Sequence, residues 1–80
     1  MPRYYFDVHD KQGVHRDEVG LEFPDMDAAI LEARRALADM TRESLVLDGA
    51  TDLSIVIRDG DEGPVNLAVT MTTERPHGQG

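Results

Sequence analysis

The chain has 80 residues, of which 40% are hydrophobic and 30% charged, and its 16 acidic against 8 basic residues give a formal net charge of −8. This length allows one small domain, the absence of cysteine excludes disulfides and thiolate metal sites, and the acidic balance argues against direct nucleic-acid binding. Since no signal-peptide pattern and no apolar run of membrane-spanning length is found, we expect a cytoplasmic protein without membrane contact.

The first predicted element is a strand over "RYYFDVHD", residues 3–10. Apolar and polar residues alternate along it, which is typical of a half-buried strand. The alternation assigns Tyr4, Phe6 and Val8 to the core face. The opposite face then carries Tyr5, Asp7 and His9.

The stretch "DKQG", residues 10–13, predicts a hairpin turn into a second strand from about Val14 to Phe23. We expect this strand to be interrupted near "RDEVG", because a glycine inside a strand usually marks a bulge or kink, and Gly20 lies there. Pro24 ends the strand.

A helix is the clearest prediction, with Asp25 as its N-cap and Gly49 as its stop. Strong helix formers dominate the segment. Its apolar residues recur at three- and four-residue spacing as one stripe: Met26, Ile30, Ala33, Leu37 and Met40, with Ala29 and Ala36 alongside.

Two further strands, "LSIVIR" and "PVNLAVTMTT", are joined by a turn over "DGDEGP", which predicts a second hairpin. The turn resembles a calcium loop only superficially, because strands flank it and the required Glu is missing. The residues predicted to line the core with Tyr4, Phe6, Val8 and the helix are Leu21, Phe23, Leu53, Ile55, Ile57, Val65, Leu67, Val69 and Met71.

The resulting order is β-β-α-β-β, which predicts a small α+β fold: one domain over residues 1–73, with a four-stranded, mainly antiparallel sheet and one helix packed on one face. Residues 74–80 are predicted to be a disordered tail.

One helix covers only one face of a sheet, so the other face meets solvent or a partner. We therefore predict a non-enzymatic protein-interaction module acting through this face or through an edge strand. Its partner would be a second copy or an unidentified protein. The residues assigned to the interaction face are Tyr5, Asp7, His9, Val56, Arg58, Ala68 and Thr70.

The candidates for chemistry are His9 and His15 with Asp7, Asp10 and Asp17. If the first two strands form a hairpin, the two imidazoles approach each other across the turn and could bind Zn, Ni or iron. Their spacing matches no ligand signature, and polar residues on a solvated strand explain them more simply. We predict no cofactor and no enzymatic activity, and keep a metal or enzymatic role at His9 and His15 as an alternative.

Several short motifs are distributed along the chain: Arg3, Tyr4, Tyr5 and Phe6 at the start, then Asp17, Gly20 and Glu22, then Asp25, Ala29 and Ala33, and finally Arg58 and Asp59. Taken together, they resemble a family of small alpha-proteobacterial proteins of unknown function. The resemblance spans residues 2 to about 73 and implies the same single-domain fold.

The opening hairpin, the "FPD" step and the alanine-rich helix are also similar to antitoxins of the HicB type. That similarity implies an acidic protein that neutralises a small basic partner, which is the alternative function. The chain lacks the glycine- and cysteine-containing step of those antitoxins and their DNA-binding tail.

Overall fold

The computed structural model of the chain describes residues 1–47, 51–60, 63–74 and 76. Its elements are β1 (Arg3–Asp10), β2 (Gly13–His15), β3 (Leu21–Glu22), α1 (Met26–Leu47), β4 (Thr51–Arg58) and β5 (Val65–Met71). The α+β class and the β-β-α-β-β order are confirmed. The predicted helix stop at Gly49, part of the predicted turn (residues 61 and 62) and most of the predicted tail lie outside the described residues.

The strands form one antiparallel sheet in the order β2-β1-β4-β5, with β3 paired to β1 beside β2. The sheet has five strands and not four, because the predicted second strand is divided into β2 and β3. The interruption falls at residues 16–20, where "RDEVG" predicts it.

The core lies between α1 and one face of the sheet, over β4 above all. The fully buried apolar residues are Tyr4, Ala29, Ala33, Leu37, Ile55 and Ile57. Phe6, Val8, Phe23 and the apolar residues of β5 from Val65 to Val69 pack against them. Buried alanines bring the helix backbone close to the sheet, and each buried isoleucine contributes roughly 1.5–3 kcal/mol.

Two residues predicted for the core are exposed. Leu21 is 52% exposed because β3 lies at the outer edge of β1, away from the strand that the helix mainly covers. Met40 is 36% exposed, because the buried row of the helix advances by four residues from Leu37 to Thr41 and not by three. Thr41 tolerates burial because its hydroxyl donates to the carbonyl oxygen of Leu37 at 2.7 Å.

The helix begins where the sequence predicts. The carboxylate of Asp25 accepts a hydrogen bond from the backbone N–H of Ala28 at 2.9 Å, which is the geometry of an N-cap. Among the described residues, no helix combines the length and the apolar character that crossing a membrane requires.

Candidate functional site

The face of the sheet opposite α1 carries an ion pair at one end, between the buried carboxylate of Asp7 and the half-buried Arg58. Arg58 donates from Nε to Oδ2 of Asp7 at 2.7 Å and from Nη2 to Oδ1 at 3.1 Å, so the contact is bidentate. The guanidinium also lies over the ring of Tyr5, 5.0 Å from its centroid. Asp7 is only 6% exposed although α1 packs on the opposite face of the sheet.

The burial of Asp7 comes from residues 16–20, which fold over this end of the sheet. The backbone N–H of Asp17 donates to Oδ1 of Asp7 at 2.9 Å, and Nη2 of Arg58 donates to the carbonyl oxygen of Asp17 at 2.9 Å. The segment between β2 and β3 is thereby fixed to both β1 and β4.

The side chain of Asp17 takes the place of a missing strand. Between the stretches of β1 that pair with β2 and with β3, the N–H of Phe6 faces no described strand and donates instead to Oδ2 of Asp17 at 3.0 Å. Oδ1 accepts from the N–H groups of Val19 and Gly20 at 3.0 and 3.1 Å. One carboxylate therefore satisfies three backbone donors and closes its own turn.

The position of Gly20, at the end of this segment, requires a glycine for two reasons: its backbone has a positive φ, and there is no room for a Cβ. Its φ is +76°, and a Cβ there would lie 2.9 Å from Cγ of Arg3 and 2.9 Å from Cε2 of Tyr5. Arg3 in turn donates to the carbonyl oxygen of Val19 at 2.8 Å and pairs with Glu22 at 3.2 Å. We call Arg3, Tyr5, Asp7, Asp17, Gly20 and Arg58 the locking network.

Hydrogen bonding in the locking network controls the charge of both carboxyls. The bidentate bond from Arg58 is the largest effect at Asp7 and lowers its pKa, against the opposing effect of burial. Burial alone would raise the pKa of Asp17, but the backbone donors of Phe6, Gly20 and Val19 together bring it below the ordinary value. The hydrogen bonds with the carboxylate of Asp7 raise the pKa of Arg58. All three groups are ionised at neutral pH, which suits a structural clamp better than proton transfer.

The other end of the face opposite α1 remains accessible. His9 and Val56 are half-buried, and Ala68 and Thr70 are exposed. Strand register places His9 opposite Ser54 and Val14, Ser54 opposite Ala68, and Val56 opposite Asn66. We call His9, Asp52, Ser54, Val56, Asn66, Ala68 and Thr70 the open face; its one acidic residue is Asp52, which is exposed and lies opposite Thr70. Of the seven residues predicted for the interaction face, Tyr5, Asp7 and Arg58 thus belong to the locking network and the other four to the open face.

The open face runs to the edge strand β5, which no described strand pairs on its outer side. The N–H of Phe6 bonds Asp17 and therefore points away from β4. Ile57, which lies opposite Phe6 on β4, directs its own N–H and C=O groups away from β1 and toward β5. By the same alternation, the outward N–H and C=O groups of β5 belong to Asn66, Ala68 and Thr70. The strand "VNLAVTM" carries no charge and no proline, whereas sheet edges are commonly blocked by such residues.

The expectation that His9 and His15 approach each other is wrong. His15 pairs with Val8 and His9 with Val14, so the two imidazoles lie on opposite faces of the hairpin. His15 instead contacts Asp10, with Nε2 3.2 Å from Oδ2. Within the described part of the chain, no three His, Asp or Glu side chains form a group able to hold a metal ion.

Sequence reasoning identified Asp7, Asp17 and Arg58 separately and missed their contact. The signal was present in "DEVG", because an Asp followed three residues later by Gly favours a side-chain-closed turn. The strand order, which alternation does not reveal, decides that Arg58 lies beside Tyr5 and Asp7.

Fold and site together define a small α+β domain whose described part has one helix on one face of the sheet, a locked end on the other face, and an open, uncharged edge at β5. A family model described as a domain of unknown function (DUF6894) matches residues 3–72. The chain belongs to that family. A search of curated proteins found no match, and a search of solved structures found none. The similarity to HicB-type antitoxins and the alpha-proteobacterial origin stay predictions.

Proposed function

We propose that the protein is a non-enzymatic interaction module that binds another polypeptide chain along β5 and the adjoining open face. The observation that carries this proposal is the edge itself. β5 presents seven residues without charge or proline, and the outward peptide groups of Asn66, Ala68 and Thr70 meet no described strand. Such an edge binds an added strand through main-chain hydrogen bonds.

The composition around the edge supports the same function. In a chain that is 30% charged, β5 carries no charge. The open face beside it is formed mainly by small, apolar or uncharged polar side chains, with Asp52 opposite Thr70 as its acidic residue. Charged residues are commonly depleted at the centre of protein interfaces. A partner strand on β5 would extend the sheet and the open face together.

The locking network supports a binding role in a second way. Asp7 and Asp17 are saturated by donors and their pKa values are lowered, so neither is tuned to transfer protons near neutral pH. The network instead fixes β1 to β4. A rigid sheet lowers the entropic cost of docking a strand at its far edge.

Site-specific photo-crosslinking in the cells that carry the gene tests this proposal. A photoreactive residue is placed at Ala68, which is exposed on the β5 edge, and in a matched variant at Ala38, which is exposed on α1. We expect a defined adduct with a protein chain from position 68 and none from position 38. Equal labelling at both positions, or no protein adduct at position 68, would overturn the proposal.

A further inference from the structure

We propose that the chain which occupies β5 is a second copy of the same protein, joined to the first by antiparallel β5–β5 pairing about a two-fold axis at Ala68. This inference rests on the proposed function and names its partner. Three observations support it: the register in which two copies of β5 can pair, the distribution of charge, and the difference between the two edges of the sheet.

The sequence of β5 is self-complementary in this register. Centring "VNLAVTM" on Ala68 places Leu67 opposite Val69, Val65 opposite Met71, and Asn66 opposite Thr70. The apolar residues of both copies then fall on the helix side, and the polar residues on the open-face side.

The backbone supports the same register. The outward peptide groups of β5 belong to Asn66, Ala68 and Thr70, so the opposed pairs Asn66–Thr70, Ala68–Ala68 and Thr70–Asn66 are all hydrogen-bonded pairs. Each such pair exchanges two bonds, which gives about six main-chain hydrogen bonds across the axis.

Burial at β5 points to the same partner. Val65, Leu67, Val69 and Met71 are all only half-buried, although they lie on the helix side of the sheet. A second β5 would bring four equivalent apolar side chains beside them and complete their cover, in the cross-strand arrangement that stabilises sheets.

The distribution of charge favours contact through β5. Two copies that each carry a net charge of −8 repel one another, so a stable contact between them requires a surface without acidic residues. β5 meets this requirement, since none of its seven residues is charged, and Asp52, the acidic residue of the open face, lies one strand further from the axis.

The opposite edge of the sheet prevents further growth. There β1 is covered by β2 of three residues and β3 of two residues, with Asp17 bonded to the N–H of Phe6 between them. Among the described strands, each copy therefore offers one long unpaired edge, β5. Pairing about a two-fold axis uses the β5 edge of both copies, which closes the assembly at two chains.

Sedimentation analysis of the purified chain, from low to high micromolar concentration, tests the dimer. The expected mass is twice the 8.9 kDa of one chain. Ala68→Lys places two like charges face to face on the axis and should weaken association by about tenfold or more. Ala38→Lys, the same change on the exposed side of α1, should leave association unchanged.

A charge-swap experiment checks the register directly. Ala68→Lys and Ala68→Glu should each be largely monomeric, and mixing them should restore a two-chain species, because the opposed side chains then attract. Hydrogen exchange on the unmodified chain gives a readout that needs no variant. The amides of Asn66, Ala68 and Thr70 should become protected as concentration rises.

A monomeric natural chain with unprotected β5 amides would overturn the dimer. So would a dimer that Ala68→Lys and Ala38→Lys affect equally, because the contact would then lie elsewhere. In either case, a crosslink from position 68 to a different protein would still support the interaction module. The experiments therefore distinguish failure of the dimer from failure of the proposed function.

Discussion

Asp7 and Arg58 lie on neighbouring strands, 51 residues apart in the chain, and form a bidentate pair beneath the segment 16–20. Register places Arg58 opposite Tyr5 and Val56 opposite Asp7, so the contact is diagonal. The pair joins the beginning of the domain to its second half. It is buried by a loop and not by the helix, so its energetic role can be separated from that of the core.

We expect Asp7→Asn to lower the free energy of unfolding by about 1–3 kcal/mol, because an amide cannot accept from Arg58 and from the N–H of Asp17 as the carboxylate does. The matched control is Asp39→Asn. Asp39 also pairs with an arginine, Arg42, but both side chains are about three-quarters exposed, and the loss should stay below about 0.5 kcal/mol. Urea denaturation measures both. Equal losses would show that burial of the Asp7 pair contributes nothing.

Stability should fall with acidification. The pKa values of Asp7 and Asp17 are lower in the folded chain than the ordinary value of 3.8, so the unfolded chain takes up protons first. Their contribution is complete above the ordinary value and is lost as the pH falls through the lowered folded values. Unfolding free energies between about pH 5 and about pH 2 should show this decline. The decline should be shallower in Asp7→Asn; an unchanged slope would contradict the assignment to the locking network.

Gly20→Ala should destabilise the domain more than Gly13→Ala. Both glycines have positive φ, +76° at Gly20 and +128° at Gly13. A Cβ on Gly13 meets no described atom within 4 Å, whereas one on Gly20 collides with Arg3 and Tyr5. Backbone strain alone costs about 1–3 kcal/mol at either position, and we expect the collision to add about 1 kcal/mol or more at Gly20. Thermal melts of the two variants check the order. The reverse order would mean that segment 16–20 moves aside without loss.

The N-cap gives a prediction outside the locking network. Asp25→Ala removes the acceptor for the N–H of Ala28 and should cost about 1 kcal/mol. Asp25→Asn keeps an oxygen at the same place and should recover most of this loss. Chemical denaturation of the two variants against the natural chain measures the difference. Equal losses would indicate that the charge, and not the capping bond, stabilises the helix start.

The elements of this fold are predictable from sequence because they depend on local patterns. Alternation assigned Tyr4 and Ile55 to the covered face and Asp7 and Arg58 to the other, and Asp25 marked the helix start correctly. What covers Asp7 was not predictable, because period-two alternation reports which face a side chain takes and not which segment folds over it.

The same limit applies to the exposed edge and to the helix. The free edge at β5 depends on strand order, which no local pattern encodes. The burial of Thr41 in place of Met40 was not predictable either, since three- and four-residue steps are equally compatible with an apolar stripe.

The carboxylate of Asp17 has a consequence for how the domain folds. It holds the N–H of Phe6, but its own backbone is held by Asp7 and by Arg58, and Arg58 arrives only with β4. The N-terminal third of the chain therefore contains a turn whose last anchor is synthesised some forty residues later. Segment 16–20 should acquire its native conformation late, after β4 has docked, and a peptide ending before α1 should not reproduce it.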